Sequence, residues 1–191
     1  SLACIEAAYE AISEASGGIL VVDEAYQEFG ADPSVTAVSL LPGRERLLVS
    51  RTMSKAFAFA GARVGYLAAD PAVIDALRLV RLPYHLSAFT QAAAEGALAH
   101  SKVMLSTVDD IRAQRDRIVS EIQELGLDAY RSDANFVLFG GLADPSKTWQ
   151  ELLERGVLIR NVGLDGTLRV SAGTEAETTA FLTALKEVLA N

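Results

Sequence analysis

The sequence predicts an α/β fold in which a partial, mainly parallel sheet is followed by a smaller α+β layer. Two aliphatic runs, 19-ILVV-22 and 46-RLLVS-50, are apolar on successive rather than alternate positions, as in strands covered on both faces. Each run leads into polar residues, which brings side chains capable of chemistry to the same edge of one sheet, where open α/β sheets bind ligands. After Gly126 the texture changes to short strands interleaved with helices, the pattern of helices packed on a small sheet.

Taken in order, 1-SLACIEAAYEAISEAS-16 carries Leu2, Ile5, Ala8, Tyr9 and Ile12 at helical spacing, with Ser1 available as a cap and a stop at Ser16-Gly17-Gly18. The first strand then reaches Asp23-Glu24-Ala25-Tyr26. Residues 30–45, with Pro33, Pro42 and Gly43, read as a loop with room for one short helix. The second strand is 46–50 and a third is 64-VGYLAA-69. Pro71 opens a helix over 71–81 that stops before Pro83. Helical patterns fill 88–100 and 103–125. Later strands are expected at 127–130, 135–139, 157–160 and 167–171, with helices at 147–155 and 175–190. A domain change is placed after residue 86, giving 1–86 and 87–191.

Composition narrows the function. The 191 residues carry a formal net charge of −8, which argues against a nucleic-acid-binding surface. No apolar run approaches the length of a membrane span. The single cysteine, Cys4, provides no disulfide framework and fits a reducing compartment. With no basic n-region at the start, the expected address is cytoplasmic. His85 and His100 are too far apart to suggest a pair of metal ligands, so no metal site is expected. Cys4 reads as a small buried residue and Trp149 as core.

The chemistry concentrates at the two strand ends. The first delivers Asp23 and Tyr26; the second delivers Ser50, Thr52, Ser54 and Lys55, with Arg63 eight positions beyond the lysine. A lone strand-end aspartate usually caps a turn and a lone lysine is usually solvated. Together, an acid, a phenol and a lysine at one crevice suit pyridoxal 5′-phosphate. A lysine amine can form the Schiff base with the cofactor's aldehyde, and a carboxylate can hold the pyridine nitrogen protonated. A tyrosine hydroxyl can hydrogen-bond the ring oxygen. The hydroxyls of Thr52 and Ser54 and the Arg63 guanidinium suit a phosphate dianion. The small residues Ala56, Ala58, Ala60, Gly61 and Ala62 allow close backbone approach.

The segments DEAYQEF and SRTMSKAFAFAGARVGY resemble the cofactor-binding core of the fold-type I aminotransferases, and most narrowly that of the histidinol-phosphate aminotransferases. The resemblance implies that Asp23 partners the pyridine nitrogen and Tyr26 the ring hydroxyl. Lys55 becomes the Schiff-base lysine and proton shuttle, and Ser54, Arg63 and Thr52 become phosphate ligands. It extends to 134-ANFVLF-139, 156-GVLIRNV-162 and 168-LRVSAGT-174, where Arg160 and Arg169 match arginines that grip the substrate's acidic end. A guanidinium fork suits a carboxylate or a phosphate bidentately.

The family's N-P-x-N-P-T-G segment has no counterpart, so the chain is expected to correspond to the C-terminal portion of a fold-type I chain. The resemblance implies an amino donor and a 2-oxo acid as substrates and a homodimer with sites at the interface. Relatives with the same core act on aromatic amino acids or decarboxylate phosphorylated amino acids, and these remain alternatives. A non-catalytic fragment or assembly module is the alternative of another class.

Overall fold

A computed structural model describes residues 1–15 and 17–190; the expected helix stop at Ser16 lies outside the described residues. Two units divide the chain, Ser1–Leu105 and Ser106–Asn191. The division falls within a helix, later in the chain than the change expected after residue 86.

In the first unit, α1 (Leu2–Ala15) packs against β1 (Leu20–Asp23). Cys4 is exposed rather than buried, because it lies off the stripe of Leu2, Ile5 and Tyr9 that turns inward. Ser1 does not cap the helix with its side chain; its hydroxyl donates to Cys4 Sγ at 3.2 Å. β2 (Leu47–Thr52) is the middle strand, with β1 on one side and β3 (Gly65–Ala68) on the other. Leu47, Leu48 and Val49 are buried, each side chain contributing roughly 1.5–3 kcal/mol.

β1 and β2 pair in parallel, from Leu20↔Leu47 to Asp23↔Ser50. β1 is an edge strand and differs from the sequence expectation: Ile19 is 57% and Val21 55% exposed, so one of its faces is open. β3 runs antiparallel to β2, from Val49↔Ala68 to Thr52↔Gly65. The connection between them doubles back through the 3₁₀ turn Ala60–Ala62 instead of crossing a face of the sheet, as a parallel return requires. The short helix expected in the 30–45 loop between β1 and β2 is the 3₁₀ turn Ala37–Leu40.

Two helices complete this unit. α2 (Pro71–Val80) is capped by Asp70, whose carboxylate accepts from Ala72 N–H at 2.9 Å, and α3 (Ala88–Ala99) by Ser87.

The second unit carries an antiparallel sheet of β4 (Asp128–Ala129), β5 (Phe136–Gly140) and β6 (Leu168–Ser171), in that order. α4 (Ser101–Glu124) supplies Ile118 and Ile122 to its core, and α6 (Glu175–Leu189) supplies Phe181, Leu182 and Leu185. The rings of Phe139 and Phe181 meet at 6.0 Å with a 60° tilt, within the range aromatic pairs prefer. α5 (Pro145–Glu154) brings Trp149 against this core, its indole N–H donating to the Ile159 carbonyl at 2.8 Å.

The strand expected at 157–160 is reduced to a single bridge, Arg160↔Arg169. Gly156, at φ +78°, turns the chain at the end of α5, and the Val157 N–H is spent on the Leu152 carbonyl. Strand pairing therefore begins only at Arg160. Among the described residues no helix is long and apolar enough to cross a membrane.

Candidate active site

The parallel register sets Asp23 opposite Ser50, and the pairing continues into a hydrogen bond: Ser50 Oγ donates to Asp23 Oδ1 at 3.1 Å. The same oxygen accepts from Ala25 N–H at 3.1 Å, so the carboxylate has two donors fixing its orientation.

Beyond β2, residues 53–63 form an anchored loop. Met53, Ala56 and Phe57 are buried, while Ser54 is half-buried and Lys55 exposed. Met53 N–H donates to Val64 O, Ala58 N–H to Lys55 O and Phe59 N–H to Met53 O, each at 3.0 Å. The lysine therefore projects from a backbone whose neighbours on both sides are tied inward. Ala58 and Arg63 lie in the left-handed region, at φ 54° and 53°, a conformation that costs a non-glycine residue about 1–2 kcal/mol. Such strain persists where the surroundings fix it and concentrates at functional sites. Of the small residues that follow Lys55, Ala56 packs inward, and nothing lies within 4 Å of where a Cβ on Gly61 would sit.

Asp23, Thr52, Ser54, Lys55 and Arg63 line one open pocket of about 380 Å³, together with Ala25, Ser50, Arg51, Val64 and Gly65. Its volume lies in the range of small-molecule sites, roughly 300–1,000 Å³. Tyr26 is not among the lining residues, but its ring lies 5.3 Å from Lys55 Nζ, within cation–π distance. Lys55 forms no ion pair with a described residue, and Arg63 Nη1 donates to the Ala60 carbonyl at 2.9 Å. Thr52 Oγ1 accepts from Ser54 N–H at 3.1 Å. A carboxylate, an amine, the Arg63 guanidinium and several hydroxyls are groups that could hold a flat, phosphorylated, aldehyde-bearing ring.

The second unit holds the other two predicted residues. Arg160 and Arg169 are directly opposed, each backbone N–H donating to the other's carbonyl at 2.9 Å. Like charges directly opposite destabilise a strand pair, and a bridging anion relieves that repulsion. Arg169 lies over the Phe136 ring at 4.6 Å, and its Nε is buried with no hydrogen-bond partner among the described residues. Arg160 lines a separate open pocket with Ser146, Trp149, Gln150, Ile159 and Asn161. No group of three or more His, Cys, Asp or Glu among the described residues could hold a metal ion.

Sequence reasoning did not find Glu24, Glu28, Thr36 and Arg51, which form a largely buried ionic cluster beside the pocket. The available signal was two glutamates four apart around Tyr26 and an arginine inside a buried strand.

The family model "Aminotransferase class I and II" matches residues 3–185. Among curated relatives, a histidinol-phosphate aminotransferase of Paenarthrobacter aurescens is 62% identical over 99% of this chain and 50% of its own length. Another, from Frankia casuarinae, is 58% identical over 97% of this chain and 47% of its own. The chain thus spans about half the length of the curated relatives it matches. Among solved structures, the histidinol-phosphate aminotransferase of Clostridium acetobutylicum superposes with a TM-score of 0.87 at 28% identity, covering 98% of this chain and 58% of that one. The Sinorhizobium meliloti histidinol-phosphate aminotransferase, in complex with pyridoxal-5′-phosphate, gives 0.83 at 29% identity over 97% of this chain and 52% of that one. The chain belongs to the class I and II aminotransferase family.

Proposed function

We propose that this family member is a pyridoxal 5′-phosphate-dependent aminotransferase that moves an amino group from histidinol phosphate to 2-oxoglutarate in histidine biosynthesis, working in the cytoplasm as a homodimer. Family membership supports the reaction class, and the names of relatives at 62% and 58% identity support the substrate. The observation that carries the reading is the pocket that Asp23 and Lys55 share at the ends of two parallel-paired strands.

When bound, the cofactor supplies an electron sink for the electrons released at the substrate's α-carbon. In this reading Asp23, oriented by Ser50 Oγ and Ala25 N–H, is the acid partner of the ring nitrogen. Lys55 Nζ, in no ion pair with a described residue, is the amine that attaches the cofactor and then carries the α-proton. Tyr26 offers its hydroxyl to the ring oxygen. Ser54 and Arg63 receive the phosphate, with Thr52 the weaker contributor because its Oγ1 already accepts from Ser54 N–H.

Arg160 and Arg169 receive the substrate's acidic end. A guanidinium fork donates to a phosphate or a carboxylate alike, so the same pair suits both the phosphorylated amino donor and the dicarboxylate acceptor.

Steady-state amino transfer to 2-oxoglutarate tests the reading, with histidinol phosphate compared against an aromatic amino donor. A preference for the phosphorylated donor of about a hundredfold in kcat/KM is expected. Preference for the aromatic donor contradicts the substrate assignment, and no transfer from either contradicts the reaction class.

A further inference from the structure

Glu24 and Glu28 bracket the turn that carries Tyr26, and one guanidinium grips both. Arg51 Nε and Nη2 reach Glu24 Oε2 at 2.9 and 2.8 Å, while Nη1 reaches Glu28 Oε1 at 3.3 Å. Nη2 also donates to Thr36 Oγ1 at 2.9 Å. The Thr36 hydroxyl in turn donates to Glu24 Oε2, and Ala37 N–H to Glu24 Oε1, both at 2.6 Å. The Glu24 and Arg51 side chains are only 8% and 15% exposed. Removing one partner of such a pair leaves an uncompensated charge in a poorly solvated place, unlike the loss of a surface ion pair.

The register gives this cluster its meaning. Asp23 pairs with Ser50; Arg51 follows on β2, and Glu24 follows the end of β1, its N–H still donating to the Ser50 carbonyl at 2.9 Å. Successive side chains on a strand point to opposite faces. Ser50 therefore fastens Asp23 on the pocket side, while Arg51, itself a residue of the pocket lining, sends its guanidinium to Glu24 on the other. Through Glu28 the same guanidinium closes the far end of the turn, leaving Tyr26 held between two clamped carboxylates, with its ring 5.3 Å from Lys55 Nζ.

We propose that Arg51 is a positioning residue: through Glu24 and Glu28 it fixes the end of β1 bearing Asp23 and the turn bearing Tyr26 against Lys55. The inference rests on the reading of Asp23, Tyr26 and Lys55 as cofactor contacts. Three partners in different directions require a planar fork, which a lysine ammonium does not provide.

The test uses the full-length protein loaded with pyridoxal 5′-phosphate, as wild type, Arg51→Lys and Glu28→Gln. Three readouts are taken: the pH midpoint of the bound cofactor's visible band, borohydride labelling mapped by peptide, and the thermal unfolding midpoint. Both variants are expected to fold and to move the pH midpoint of the band by about one pH unit, the size of a hydrogen bond lost from a charged ring. In Arg51→Lys, labelling at Lys55 is also expected to be less complete. Glu28→Gln removes only the charge at the 3.3 Å contact and leaves the Glu24 pair intact, so it serves alone should Arg51→Lys fail to fold. A wild-type pH midpoint in the folded variants overturns the inference, whatever happens to thermal stability, because Arg51 would then be structural only. A wild-type protein with no Lys55-linked band overturns the cofactor reading and this inference with it.

Discussion

The hydroxyl of Ser50 donates to Asp23 Oδ1 at 3.1 Å, across the parallel pair that β1 and β2 form. The bond orients a carboxylate without neutralising it, which is what a partner for a protonated ring nitrogen needs. Asp23→Asn keeps the size and an acceptor oxygen but removes the charge. We expect kcat to fall by about 10²–10⁴-fold, with the unfolding midpoint close to wild type. Steady-state kinetics beside a denaturation curve check both halves.

The opposed pair Arg160 and Arg169 leads to a second expectation. Arg169→Lys keeps the charge but loses the fork and the stacking over Phe136 at 4.6 Å. A charge-assisted hydrogen bond contributes about 1.5–3 kcal/mol, so kcat/KM for the phosphorylated donor should drop about 10–100-fold. Most of that drop should appear in KM, and a KM titration of the donor measures it.

Gly65 gives a stability prediction. A Cβ there would lie 2.7 Å from the Arg51 carbonyl oxygen, a backbone atom within the β2–β3 ladder that cannot swing aside. Gly65→Ala should cost about 1–3 kcal/mol. A urea midpoint shifted down without a change in slope would report that loss.

Much of the site was legible because its signals are local. Asp23, Ser54, Lys55 and Arg63 fall within two short segments, and the aliphatic runs before them announced the strands. What escaped needs non-local information. The Glu24–Arg51 clamp joins residues far apart in sequence, and neither residue type indicates a partner by itself. The direction of β3 depends on how the loop after Lys55 folds back, which no periodicity encodes. The openness of β1 depends on its place at a sheet edge, whereas an apolar run such as Ile19–Val22 reads the same at an edge or a centre. The strand at 157–160 failed because the end of α5 consumes the Val157 N–H.

Away from the site, Glu121 accepts from Lys186 Nζ and from Arg117 Nε, each at 2.8 Å. These bonds, that from Lys186 foremost, hold its carboxyl below the ordinary glutamate range. A carboxyl lowered in the folded state binds protons less readily there than in the unfolded chain. Its contribution to stability is therefore complete above the ordinary glutamate pKa of about 4.3 and disappears as the pH falls through the lowered value. Lys186 is half exposed, so the contribution should stay below about 1 kcal/mol. Comparing wild type with Glu121→Gln, the stability gap should shrink as the pH is lowered from 6 towards 3.

The proposed chemistry turns on Lys55 as the residue to which the cofactor attaches. Lys55→Ala should abolish amino transfer while changing stability by no more than about 0.5 kcal/mol, because the side chain is exposed and forms no ion pair with a described residue. The most direct measurement is borohydride reduction of the protein loaded with pyridoxal 5′-phosphate, followed by peptide mass mapping. A visible band whose reduced adduct maps to Lys55 alone is the expected result. Label spread over several lysines, or no band at all, would contradict it.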